Sequence, residues 1–326
     1  MSEPLQTGVI GAGKMGKHHV RVYNEIAEGE LVGVADTDIA RATEIAHRFE
    51  TDVYTTAELL ERADAVSVAV PTAAHYDIAL KCIEAGTDLL LEKPFVETTE
   101  QGRDLIARAD AAGVTLQVGH IERFNPVTET LRDIVPGLEL ISVSTDRLGP
   151  SPNRPVPDSA VMDLMIHDID VITSLIDSPI TEIDASGNTD GHHATATLEF
   201  ANDVVGSLTA SRVTQRKVRR LTVTARSCYV TVDYLDQSIQ IHRQSSPEYV
   251  TDNGDLSYRH ESIVEIPAVE NVEPLKNELR SFLRAARSGE EPRVTGEDGI
   301  QSLKLSKRIH ETAFGRKDTK VGVVSD

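Results

Sequence analysis

Through the first 120 residues, short strand-like runs alternate with helical patterns at the spacing of repeated strand–helix–strand units. Thr7–Ile10 is a short apolar run, and a helical pattern follows from Lys14 to about Ala27. Leu31–Ala35 reads as a second strand, Asp38–Phe49 as a second helix and Val53-Tyr54 as a third strand. Ala65–Val70 has the character of a buried strand and is stopped by Pro71. The helix over Ala74–Ala85 ends at Gly86, a residue suited to the left-handed turn that closes helices. Asp88–Leu91, a helix over Thr98–Ala112 closed by Gly113, and a sixth strand at Thr115–Gly119 complete the series. The alternation predicts an α/β domain, a doubly wound parallel sheet with helices on both faces.

Such a sheet binds ligands at the carboxyl ends of its strands, and its first strand–helix junction carries Gly11-Ala12-Gly13-Lys14-Met15-Gly16. A lone GxGxxG is a common accident and can be an ordinary glycine turn. Here it lies between the first strand and the first helix, as the dinucleotide mechanism requires. Gly11 permits the tight turn, Gly13 lets backbone approach a pyrophosphate, and Gly16 permits close helix–sheet packing. The pyrophosphate then sits on the helix N-terminus. Asp36 follows the second strand, twenty residues beyond Gly16. A carboxylate there accepts hydrogen bonds from ribose hydroxyls and repels a 2′-phosphate. The expected cofactor is NAD, with NADP disfavoured, although Lys14 and Arg41 soften that rejection.

Beyond Asn125-Pro126 the pattern changes. Between about Leu138 and Pro267 most apolar stretches are strand-like: LELISVSTDRL, HATATLEF, VVGSLTASRV, RLTVTA, YVTVDYL, SIQIHR and SIVEIP. Strands in succession predict an α+β domain with one open, mainly antiparallel sheet. A helix over about Ala160–Ile176 interrupts the series, and Pro274–Arg287 and Gly299–Thr312 read as closing helices. Gly149–Ser159, with four prolines in eleven residues, reads as a loop. The expected division is a Rossmann domain over residues 1–122 and a substrate-binding and oligomerisation domain over residues 123–326. A chain of 326 residues is long for one core, which agrees with two domains.

Composition narrows the partners. There are 52 Asp and Glu against 33 Lys and Arg, a formal charge of −19, and only ten of the basic residues are Lys. A surface this acidic repels nucleic acid and anionic lipid. No run approaches the roughly 18 apolar residues of a membrane span. MSEPLQTGVIG lacks the basic and apolar regions of a secretory leader, so a cytoplasmic location is expected. Acid spread along the chain with scarce Lys fits a high-salt cytoplasm; an acidic docking surface is the other reading. Cys82 and Cys228 lack metal-ligand spacing and read as buried thiols. His18-His19 in a helix diverge by about 100°, and His192-His193 on a strand face opposite sides. No metal is expected.

The segments VIGAGKMGKHH, VPTAAHYDIALKCIEAG, LLLEKPF and VMDLMIHDID together resemble the Gfo/Idh/MocA oxidoreductases, and the likeness covers nearly the whole chain. The resemblance implies a Rossmann domain, a second domain with an open antiparallel sheet, and active-site residues from both. Lys93 matches the family lysine that reaches the nicotinamide ribose and the reacting hydroxyl. An ammonium at a strand's carboxyl end stabilises a developing alkoxide, and Pro94 restricts Lys93 to extended backbone. Thr72, His75 and Glu92 join the expected cofactor contacts, with helix-start packing the alternative role for His75. Asp163 and His167 match the family's acidic residue and histidine. Four apart, they share a helix face. The carboxylate can orient the imidazole, which takes the hydroxyl proton as hydride leaves the same carbon. The expected catalytic set is Lys93, Asp163 and His167, and either Lys93 or His167 can be the final base. Asp168 and Asp170 point to other faces and read as capping or solvent residues.

Val118–Pro126 joins the domains, and its GHIERFNP resembles the branch that acts on UDP-N-acetylhexosamines and their uronic acids, especially the UDP-N-acetylglucosamine 3-dehydrogenases. This implies NAD-dependent oxidation of a secondary sugar hydroxyl, at C3 of UDP-N-acetylglucosamine or a related UDP-sugar. Arg123 and Asn125 become substrate candidates, with an interdomain salt bridge the other role for Arg123. A nucleotide diphosphate needs local positive charge on an acidic protein. Arg212, Arg216, Lys217, Arg219 and Arg220 place five cations in nine residues, and Arg147 and Arg154 flank the proline-rich loop. Arg154 and Arg216 are the expected diphosphate contacts, and salt bridges across a subunit interface are the alternative. The expected partners are a small-molecule substrate and further copies of the chain, as a homodimer or homotetramer through the antiparallel sheet. An inositol or free-aldose dehydrogenase and a non-catalytic NAD sensor on the same fold are the competing readings.

Overall fold

The computed structural model describes residues 3–151, 156, 158–244, 248–252, 255–259 and 261–315. The chain forms two compact units, residues 1–125 with 272–304 and residues 126–271 with 305–326.

In the first unit the strands are β1 (Leu5–Ile10), β2 (Gly29–Ala35), β3 (Asp52–Val53), β4 (Ala65–Val68), β5 (Asp88–Glu92) and β6 (Leu116–Gly119). Between them run α1 (Lys14–Tyr23), α2 (Ile39–Phe49), α3 (Thr56–Leu60), α4 (His75–Ala85) and α5 (Thr99–Ala112). The six strands pair in the order β3-β2-β1-β4-β5-β6, and every pair is parallel. Helices on both faces explain why all four residues of β4 are buried rather than alternating. Asp38 caps α2, and Thr98 with Gln101 forms a capping box on α5, satisfying helix N–H groups that have no partner of their own. The strand order reverses between β1 and β4, where an open α/β sheet forms a crevice at its carboxyl edge.

The second unit begins with α6 (Pro126–Ile134) and β7 (Leu140–Leu148). A five-residue π-helical turn, Val161–Met165, leads into α7 (Ile166–Leu175). Then follow β8 (Ile180–Gly187), β9 (His193–Phe200), β10 (Val205–Ser211), β11 (Val218–Ala225), β12 (Tyr229–Asp233), β13 (Ser238–Gln244), β14 (Glu248–Asp252), β15 (Asp255–Arg259) and β16 (Ser262–Glu265). Eight of them form one sheet in the order β16-β13-β12-β11-β7-β10-β9-β8, antiparallel except for the parallel β7–β10 pair. β14 and β15 pair separately. In β9, Ala194, Ala196, Leu198 and Phe200 are buried while Thr195, Thr197 and Glu199 are exposed. The buried set packs with Ile169, Val171, Ile172 and Leu175 of α7. This period of two marks a sheet with one face in the core.

The chain then returns to the first unit through α8 (Pro274–Ser288), and α9 (Gly296–Phe314) is divided between the units at Lys304/Leu305. The division at residue 122, with everything beyond it in the second domain, therefore needs revision. Leu275, Leu279, Phe282 and Leu283 form one helix stripe and fill the core beside Val9, Val20, Tyr23 and Val34. The stripe is plain in the sequence, but the sheet it covers is not. Among the described residues no helix is long and apolar enough to cross a membrane.

Candidate active site

Beyond Ile10 the chain turns through Gly11 at φ +103°, where an added Cβ would lie 2.4 Å from the Ala69 carbonyl oxygen. Only glycine tolerates both. At Gly16 an added Cβ would lie 1.7 Å from the Gly11 oxygen, so α1 rests directly on the turn. Gly13 faces open space, and no side chain caps the α1 N-terminus. Uncapped N–H groups and a clear approach fit the pyrophosphate of a dinucleotide. Ala12 is buried, Met15 is half-buried and Lys14 is exposed.

Asp36 stands beside this turn. Its Oδ2 accepts the Ala12 N–H at 2.6 Å, and its Oδ1 accepts the Asp38 N–H at 2.8 Å and Arg41 Nη2 at 2.9 Å. Burial works to raise this carboxyl, but the bonds from Arg41, Asp38 and Ala12 outweigh it and hold the group below its ordinary value. An ionised acceptor next to the glycine turn fits an adenosine ribose. The Arg41 guanidinium bonds Asp36 through Nη2, its Nη1 lies 3.9 Å from Asp38 Oδ2, and about half of the side chain is exposed.

At the end of β5, Glu92 is buried and its Oε1 lies 2.9 Å from His19 Nε2 of α1. Its Oε2 accepts the Lys93 N–H at 3.3 Å. Burial favours protonation of Glu92, yet the His19 hydrogen bond and the charges of His19 and Lys93 keep it lowered. Lys93 is half-buried and its bond to Pro94 is cis. His75, 1% exposed, has Nδ1 at 3.0 Å from the Pro94 oxygen and 3.1 Å from that of Phe95, and Nε2 at 2.9 Å from that of Val70. Its ring thus ties the start of α4 to the loop after β5. Thr72 is half-buried in the short turn just before it. Within this unit, then, the glycine turn, Asp36, Thr72, His75, Glu92 and Lys93 all lie at the carboxyl ends of β1, β2, β4 and β5.

Arg123 and Asn125 follow β6. Arg123 Nη2 donates to Asp298 Oδ1 at 3.2 Å, and Asn125 Nδ2 donates to Glu122 Oε2 at 3.2 Å. Asp298 belongs to the same unit, so this ion pair is internal to it. Burial opposes the charge of Asp298, but Arg123 and Thr295 keep its carboxyl lowered.

In the second unit Asp163 lies in the π-helical turn and His167 in the first turn of α7, both half-buried. π-helical turns inside helices recur at functional sites. Arg212, 4% exposed, donates to the Asp158 and Ser159 carbonyls at 2.8 and 3.2 Å and to Asp163 Oδ2 at 3.1 Å. Ser159 Oγ in turn lies 2.9 Å from His310 Nδ1. Arg212 is thus a clamp on the start of the Asp163–His167 segment.

Several expectations change here. Asp168 and Asp170 are buried, not in solvent or at a cap. Asp168 accepts two bonds from Arg147, Nε at 2.8 Å and Nη2 at 2.9 Å, so Arg147 is spent on an internal bidentate pair rather than on a diphosphate. The five-cation run is no single patch either. Arg212 is turned inward, and Arg219 donates to the Leu148 and Val218 carbonyls. Arg216, Lys217 and Arg220 are exposed. Arg154 lies outside the described residues.

His19 carries no assigned role in the sequence reading, yet it is fully buried while His18 is exposed. Gly16, Val20 and Tyr23 mark the buried stripe of α1, and a histidine on that stripe is the signal that could have found it. His192 and His193 are half-buried, and the described residues contain no cluster of three or more potential metal ligands. Cys82 and Cys228 are free and buried, and burial pushes the Cys82 thiol up to about 12.

Residues 5–120 match the GFO_IDH_MocA model, an oxidoreductase family with an NAD-binding Rossmann fold, and residues 144–229 match a GFO/IDH/MocA C-terminal domain. UDP-N-acetylglucosamine 3-dehydrogenase of Acidithiobacillus ferrooxidans is 33% identical over 247 residues, 74% of this chain and 78% of that protein. A solved structure of UDP-N-acetylglucosamine 3-dehydrogenase GnnA from that organism aligns over 95% of this chain and 97% of its own, with TM-score 0.85 and 29% identity. An inositol 2-dehydrogenase of Rhizobium meliloti is 26% identical over 328 residues, 93% of this chain and 94% of that protein.

Proposed function

This chain belongs to the Gfo/Idh/MocA family and is an NAD-binding dehydrogenase, and we propose that it oxidises a secondary sugar hydroxyl, at C3 of UDP-N-acetylglucosamine or a close relative. The observation that carries the reading is the likeness, along nearly the whole chain, to UDP-N-acetylglucosamine 3-dehydrogenase. The segment GHIERFNP adds to it.

Bound NAD supplies the hydride acceptor. The glycine turn and Asp36 hold the dinucleotide, with Thr72, His75 and Glu92 shaping the crevice beside it. The Lys93 ammonium polarises the hydroxyl oxygen and stabilises the alkoxide that forms. His167 takes the proton, and Asp163, itself fixed by Arg212, orients the imidazole. Arg123 and Asn125 contact the sugar. Arg216 meets the diphosphate, helped by Lys217 and Arg220, the other exposed cations of the run. Subunits pair through the open face of the eight-stranded sheet, in a cytoplasm of high salt.

The test is incubation with NAD and a panel of UDP-sugars, inositols and free aldoses in high salt, following the NADH absorbance band. NADH with UDP-N-acetylglucosamine or a near relative is the expected result. NADH only with inositol or free aldoses favours the second reading, which the inositol dehydrogenase relative supports. NAD binding without turnover of any of them makes the protein a sensor.

A further inference from the structure

His19 and Glu92 withdraw two ionisable groups from water, at 0% and 7% exposure. Such a pair is expensive to bury, and apolar residues of similar volume would fill the space at no such cost. The site is built from three elements. α1 supplies His19, β5 supplies Glu92, and β6 supplies Gly119, where an added Cβ would lie 3.1 Å from Glu92 Cα and 3.2 Å from its Cδ. One oxygen of Glu92 therefore bonds the helix that opens at the dinucleotide turn. The other bonds the backbone of Lys93.

We propose that His19 is a positioning residue: it holds the Glu92 carboxylate in place by a hydrogen bond, and Glu92 in turn holds the Lys93 backbone. With no exposed surface, His19 cannot itself touch a ligand, and its side-chain polar contact is with Glu92. The inference rests on the reading that Lys93 works on the substrate oxygen, and it deepens that reading by naming what holds Lys93.

Its test needs no sugar. Full-length protein is treated with limiting acetic anhydride, and the labelling of Lys93 relative to Lys81 is read by mass spectrometry. A hydrogen bond to a carboxylate is stronger than one to a neutral amide, so a weakened Glu92 anchor leaves the lysine side chain freer to meet the reagent. Lys93 therefore labels several-fold faster in His19→Leu and Glu92→Gln than in the wild type. His19→Gln, which keeps an N–H donor, falls between. Unchanged relative labelling in both His19→Leu and Glu92→Gln overturns the inference. In turnover of the sugar, His19→Leu lowers kcat about tenfold or more, with KM and NADH affinity held within about twofold. His19→Gln recovers part of the loss. Parallel losses of kcat, NADH affinity and melting temperature, unrelieved by Gln, would make His19 merely structural and also overturn the inference. Lys93→Met separates the two levels: turnover in that variant removes Lys93 from the reaction and leaves the labelling result intact.

Discussion

Asp36 is a carboxylate with several protein donors and a task still to perform, so its response to pH reports on its surroundings. Its folded-state carboxyl lies below the ordinary value, with Arg41 the leading cause on the lowering side. Its contribution to folding and to NADH binding is therefore complete at neutral pH and fades as pH falls through the lowered value. Arg41→Ala removes that cause, so NADH affinity in a fluorescence titration should begin to fall at higher pH than in the wild type. An unmoved acid limb would detach Arg41 from the cofactor site. Asp36→Ala takes away a charged acceptor and leaves the Ala12 N–H without it. The expected loss of NADH affinity is about tenfold or more, from about 1.5–3 kcal/mol per charged hydrogen bond. Lys93→Met should abolish turnover while NADH still binds, and calorimetry with NADH distinguishes that outcome from a collapsed site.

Elements set how much of this could be read in advance. The parallel sheet was legible because its strands are short apolar runs divided by helical periods and glycine stops. The glycine turn and Asp36 were legible because their chemistry is local to one strand–helix–strand unit. α3 was missed because five residues carry too little periodicity, and β8 because ITEIDASG has too few apolar residues to stand out. The fates of Arg147, Arg212 and His19 were hidden, since which arginine turns inward depends on partners far along the chain. Two substitutions test such placements. Gly16→Ala drives a methyl group into the Gly11 carbonyl and should cost NADH binding and melting temperature together. Arg147→Met leaves the buried Asp168 without its bidentate partner, and should destabilise by about 3–5 kcal/mol in urea unfolding. Arg147→Met with Asp168→Leu should regain most of that loss. A double variant no more stable than the single one would show that the cost lies elsewhere.

Over the whole molecule, a charge of −19 makes the folded chain repel itself. Salt screens that repulsion over about 10 Å at 0.1 M and about 3 Å at 1 M, so the melting temperature should climb across that range. A flat melting temperature would remove the link between the acidity and a saline setting. The return of α8 to the first unit has a consequence for how the protein is made. Domains generally fold as units, with the N-terminal one first as the chain leaves the ribosome. Here the first unit has its sheet strands by Gly119, but Leu275, Leu279, Phe282 and Leu283 emerge only after the entire second sheet has been synthesised. Val20 and Tyr23 wait that long for their cover. The dinucleotide unit begins first yet is completed only after the second sheet, so a nascent chain stalled before residue 272 displays an apolar surface that the finished protein conceals.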